Sequence, residues 1–161
     1  MQQSSYLFAQ SIRANLRIGN PRATDDELLA ALSAVGLDGL MARLPRGLDT
    51  PVEEAGIGFS GGEAQRMALA RILLTDAPVV ILDEPCVALD PATEARLLTT
   101  ILAVLAERTI IMITHHLAGA EAFDRILFLR DGRVALDGSP AELAATSDYY
   151  RRLLAFDRGA R

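Results

Sequence analysis

Apolar residues recur at three- and four-residue intervals over residues 11–16, 24–35 and 37–44, between breaks at Pro21, Gly36 and Pro45. That spacing predicts three short helices forming a small helical region. Residues 47–58, which include Pro51 and glycines, hold no sustained period and read as a loop. A longer helix is predicted over 62–75, with Met67, Ala68, Ala70 and Leu73 or Leu74 turned inward. The pattern then changes character. Residues 79–82 and 109–113 are short apolar runs rich in β-branched side chains, separated by a helical stretch, 92–107, that carries Leu97, Leu98, Ile101, Leu102 and Leu105. This strand, helix, strand order predicts an α/β fold with buried parallel strands. Residues 125–129 and 133–136 flank Asp131-Gly132, a hairpin signal, and two short helices, 140–145 and 149–156, close the chain. No internal repeat, low-complexity tract or linker is visible.

At 161 residues, 50% hydrophobic, the chain suits one compact domain with a real core. A net charge of −5 without basic runs argues against nucleic acid as the partner, because neutralising phosphates needs clustered Lys or Arg. The single cysteine, Cys86, rules out an intramolecular disulfide and fits a reducing compartment. No apolar run approaches the roughly 18–20 residues that cross a bilayer, and the first residues lack the basic and apolar regions of a secretion signal. The expectation is a chain that is neither secreted nor membrane-spanning.

Ser60 followed three residues later by Glu63 is a capping box, which a well-started helix explains by itself. Gly61 and Gly62 inside the box favour a phosphate contact, since they expose backbone N–H groups where the helix dipole attracts anions. The apolar run 79–82 ends in Asp83 and Glu84, carboxylates that are costly at a strand end unless solvated, paired or metal-bound. Successive strand side chains point to opposite sides, so the two have different tasks: one holds magnesium through water, the other accepts a proton from an attacking water. Asp90 before Pro91 reads equally as a helix N-cap. His115 follows a strand directly and so reaches the same sheet edge as the carboxylate pair; His116 and Cys86 read as structural. What is missing is a phosphate loop, G-x-x-x-x-G-K-[ST]. All 16 basic residues are arginines, so no segment supplies its lysine, and the chain alone is not expected to bind ATP normally.

Taken together, these residues resemble the nucleotide-binding domain of an ATP-binding-cassette (ABC) exporter from its glutamine loop to its C-terminus. Gln3, Leu7-Phe8 and Ile12-Arg13-Ala14-Asn15-Leu16 resemble the exporter pattern Q-x-x-x-L-F then I-R-x-N-[IL]. Residues 59–63 resemble the signature motif, with Phe59 for the common leucine; 79–84 resemble Walker B, 88–90 the D-loop, and His115 the switch histidine. Cys86 stands where Ser or Thr is usual, and His116 where Arg is usual. Residues 114–119, Phe123-Asp124 and 76–78 narrow the likeness to thiol reductant exporters of the CydC type.

The resemblance implies a P-loop NTPase-like domain lacking its Walker A part: residues 1–75 with the glutamine loop, helical subdomain and signature helix, and 76–161 with the remainder. It implies ATP and Mg2+ as cofactors, with Gln3 and Asp83 facing the metal, Glu84 as general base and His115 on the γ-phosphate. Ser60, Gly61, Gly62, Glu63 and Asp90 would contact nucleotide, the signature residues touching ATP held mainly by a second nucleotide-binding domain. That partner would be CydD-like, in a heterodimer exporting cysteine or glutathione for cytochrome bd assembly. Transmembrane helices would be missing from this chain, whose place would be the cytoplasmic face of the cell membrane. The alternatives are a non-catalytic pairing module, an exporter with another substrate, and a non-transport member of the superfamily. An incomplete sheet with an uncovered edge and apolar face is expected to favour aggregation.

Overall fold

A computed structural model describes residues 7–52, 58–86, 89–117 and 119–159, with residues 158 and 159 described by their backbone alone. Gln3, residues 53–57 of the predicted loop, and Ala88 of the predicted D-loop lie outside the described residues. The chain forms two compact units, 1–113 and 114–161.

In the first unit, α1 (Ile12–Arg17), α2 (Asp25–Ala34) and α3 (Asp38–Arg43) build the helical region, followed by a 3-10 turn at Gly47–Asp49. The starts of α1 and α2 are chemically marked. The Ser11 hydroxyl accepts from the Ala14 amide, and Thr24 forms a reciprocal box with Glu27. Helix α4 (Gly61–Leu73) packs against α1 and α2 through fully or nearly buried Met67, Leu69 and Ala70. Leu69 takes the inward place expected of Ala68, which is half-buried. The reason is that α4 is covered from more than one side, so its buried stripe is broader than a single-faced pattern. Gly19 permits a close approach here, because a Cβ at that position would stand 2.2 Å from the Arg71 carbonyl oxygen.

Strands β1 (Val79–Asp83) and β2 (Thr109–Ile113) pair in parallel, with Val79 opposite Thr109 and Asp83 opposite Ile113. The right order for such a pair is strand, helix, strand, and α5 (Pro91–Val104) supplies the crossover. Val80 and Leu82 join a single apolar cluster with Leu97, Ile101 and Leu105 of the α5 region and with the buried faces of α1, α2 and α4. Among the described residues this cluster covers one face of the strand pair. On the other face Val79, Ile81, Ile111 and Ile113 are 48–62% exposed, so the strands expected to be buried on both sides are half-buried.

The second unit holds the hairpin β3 (Ile126–Arg130) and β4 (Arg133–Gly138), then α6 (Pro140–Thr146) and α7 (Asp148–Gly159). Asp131 and Gly132 both have positive φ (50° and 73°), the conformation of a tight two-residue hairpin turn. Leu143 and Tyr150 are buried, and Phe128 meets Tyr149 edge-on with centroids 5.4 Å apart.

Candidate functional site

Ser60 is the N-cap of α4. Its hydroxyl accepts from the Glu63 amide at 3.2 Å, while its own amide donates to Glu63 Oε2 at 2.8 Å. Arg43 adds a 2.8 Å ion pair to the same carboxylate. Burial pushes the Glu63 carboxyl up, but the two Ser60 bonds and Arg43 together outweigh it and hold the group below its ordinary value. Glu63 is thus occupied in fixing the turn. The first-turn amides of Gly61 and Gly62 have no intrahelical acceptor by helix geometry. A Cβ at Gly61 would meet nothing within 4 Å, so an anion has room to approach there; at Gly62 it would meet Leu89 Cδ2 at 3.6 Å. The residues after β1 therefore lie against the signature turn.

Asp83 ends β1 and is exposed; Glu84 follows it and is half-buried. The Glu84 amide donates to the Ile113 carbonyl at 2.9 Å, and the Glu84 carbonyl accepts from Gln65 Nε2 at 3.0 Å. Glu84 adopts φ +49°, left-handed for a non-glycine residue. Gln65, on α4, was not singled out by pattern, because a lone polar residue on a helix carries no signal of what it faces.

Asp90 caps α5, accepting from Ala92 and Thr93 amides at 3.1 and 3.0 Å. The Thr93 bonds, then the Ala92 amide, hold its carboxyl below the ordinary value. His115 and His116 open the second unit, their rings 4.1 Å apart. The His116 amide donates to Thr114 Oγ1 at 3.0 Å and its Nδ1 lies 3.5 Å from Asp157 Oδ1.

Cys86 packs against the core cluster. Burial, then the charge of Glu94, pushes its thiol up to about 11. Thiolate is scarce at pH 8, and reaction with a disulfide reagent is expected to run at least tenfold below that of an ordinary exposed cysteine, whose pKa is about 8.5. A rate matching free cysteine would contradict this burial.

Among the described residues no three His, Cys, Asp or Glu side chains converge on a metal-sized point. A single Asp at a strand end nonetheless suits magnesium, which keeps several waters and takes its other ligands from phosphates. Among the described residues no helix is long and apolar enough to cross a membrane.

A cap-started helix with an open first turn, set against a parallel strand that ends in two carboxylates, is part of an ATP-binding-cassette nucleotide-binding fold, α/β with parallel strands. The ABC transporter family model matches residues 1–87, and the chain belongs to that family. It is 50% identical over 157 residues to the glutathione/L-cysteine transport system ATP-binding/permease protein CydD of Bacillus subtilis (strain 168), covering 98% of this chain and 27% of that protein. It is 42% identical over 154 residues to the mycobactin import ATP-binding/permease protein IrtB of Mycolicibacterium smegmatis, covering 93% and 27%. The solved structure of a bacterial Atm1-family ABC exporter with ATP bound matches with a TM-score of 0.84 and 40% identity, over 99% of this chain and 27% of that one. The chain thus spans about a quarter of the length of the relatives it matches.

Proposed function

We propose that the chain is the C-terminal part of the nucleotide-binding domain of an ABC exporter's ATP-binding subunit, and that the exporter moves glutathione or cysteine. One observation carries the reading: the open signature turn at Ser60–Gly62 and the Asp83–Glu84 strand end belong to one compact unit, in a chain of ABC membership. Gly61 and Gly62 would donate backbone N–H groups to the terminal phosphate of a nucleotide. Asp83 would hold magnesium through water, with Gln3 as a second contact; bound magnesium would neutralise charge on the phosphates. Glu84 would accept the proton of the attacking water, and His115 would orient the attack on the terminal phosphate. Asp90, beside its capping role, would reach nucleotide through the D-loop.

In this reading the partner is a second nucleotide-binding domain, and the pair sits at the cytoplasmic face of a membrane through transmembrane helices. The likeness to a CydD subunit supports a thiol exporter; it also admits the reverse pairing, a CydD-type chain with a CydC-type partner. A non-catalytic pairing module, lending its signature turn to a partner's nucleotide, is the second reading; Glu84 and His115 weigh against it.

The test is a chimera in which this chain replaces the matching residues of the Bacillus subtilis protein, expressed with that protein's partner. Glutathione- or cysteine-stimulated ATPase is the expected result. Intact pairing without turnover at this half-site would favour the pairing module, and failure to pair would overturn the exporter reading. The thiol assignment is read separately, from which substrate stimulates the whole protein carrying this chain, since the chimera's membrane helices belong to the Bacillus protein. Calorimetry of magnesium-ATP on the 161-residue chain is expected to show no binding. Tight binding there would mean that the phosphates are held by residues other than a phosphate-loop lysine.

A further inference from the structure

Glu84 is left-handed with no glycine to excuse it. The other described non-glycine residue of this kind, Asp131, sits in a hairpin turn of the type that selects such residues. Glu84 instead precedes Pro85, and a residue before proline is driven toward extended backbone. Its conformation is disfavoured twice, so the surrounding structure must impose it. Two bonds clamp the peptide from either side: the Ile113 carbonyl takes the amide, and the Gln65 side chain takes the carbonyl. The first comes from the neighbouring strand. The second comes from α4, whose place is fixed by buried Met67, Leu69 and Ala70, and whose first turn holds Gly61, four residues ahead of Gln65.

We propose that Gln65 is a positioning residue that holds the Glu84 peptide left-handed and thereby aims the Glu84 carboxylate, coupling the placement of the signature turn to that of the base. The inference rests on the reading of Glu84 as general base for its consequence in catalysis, but not for its structural content. A shift of α4 carries Gln65 with it and loosens one jaw of the clamp. The side chain needed is a donor of this length; asparagine falls short, and glutamate presents an acceptor to an acceptor.

The structural content is tested on the 161-residue chain by urea midpoints of the parent, Gln65→Ala, Glu84→Gly and the double variant. Glycine removes the left-handed penalty, so the midpoint change caused by Glu84→Gly is expected to be more positive with Gln65 present than after Gln65→Ala, which lets the strain relax. Equal changes in the two backgrounds would overturn the clamp. Where a variant does not fold, the parent chain still decides: the Gln65 side-chain amide is expected to exchange its protons more slowly than other side-chain amides, and ordinary exchange would sink the idea.

The catalytic consequence is read in the chimera. Gln65→Glu is expected to lower kcat by about ten- to a hundredfold with KM little changed, as misplacement of a reacting group does. Gln65→Arg, which restores a donor, is expected to recover much of it. A risen KM with unchanged kcat would refute positioning. Absence of any ATPase in the chimera would defeat the exporter reading while leaving the urea cycle to judge the clamp.

Discussion

Glu84→Gln, introduced into the chimera, is expected to lower ATPase kcat by at least about a hundredfold, the lower end of what a positioned general base contributes. The substitution keeps the shape of the side chain and leaves the backbone clamp, which uses only the Glu84 amide and carbonyl, in place. What it removes is the capacity to take up a proton. KM is therefore expected to change little, since an interaction made only in the transition state is lost from kcat and kcat/KM alike. Full activity in the variant would assign the proton to another group, and a raised KM at constant kcat would make Glu84 a binding residue.

The second large effect is expected at Asn15, which is fully buried although polar. Its Oδ1 accepts from the Phe8 amide at 2.9 Å and from Arg71 Nη2 at 3.2 Å; its Nδ2 donates to the Phe8 carbonyl at 2.9 Å and the Ser11 carbonyl at 3.1 Å. All four hydrogen-bonding positions of the amide are used. One side chain thus ties the segment before α1 to α4. Asn15→Leu keeps the volume but takes its acceptor from the Phe8 amide and from Arg71 Nη2, while the Phe8 carbonyl keeps the Gln10 amide at 2.7 Å; losing such a bond in a part-buried setting costs about 1–3 kcal/mol. A loss of about 2 kcal/mol overall is expected, a large share of the roughly 5–15 kcal/mol that holds a domain together. Denaturant unfolding at constant m-value measures it; a change below about 1 kcal/mol would show that water or a relaxed loop serves those groups.

The helices and strands were legible because their signals are local. Ser60 and Asp90 announce helix starts by side-chain chemistry, and the β-branched runs at β1 and β2 announce parallel pairing once α5 lies between them. Residues 59–63 and 79–84 stood out for the same reason, as short contiguous strings. Leu69 was not, because the breadth of α4's buried stripe depends on which helices cross it. Neither was the Gln65 to Glu84 bond, which spans 19 residues and is set by the crossing of a helix and a strand end. The left-handed turn at Glu84 escaped notice because no glycine marked it. Even the fully buried Asn15 looked like an ordinary helix residue; only packing reveals that its amide is enclosed.

Among the described residues three helices, α2, α4 and α6, begin with the same reciprocal box, at Thr24 with Glu27, Ser60 with Glu63 and Ser139 with Glu142. Such a box acts as a phase lock. Slipping the start by one residue would break both of its bonds, so the angular setting of everything downstream is decided within four residues of sequence. For α4 this means that one residue inserted after Glu63 would swing the rest of the helix by about 100°. The turn itself would survive intact, and Gln65 would face away from Glu84. On the reading of Glu84 as base and of the α4 turn as an anion site, an insertion at that point would separate the two without touching either, silencing the one while leaving the other fully formed.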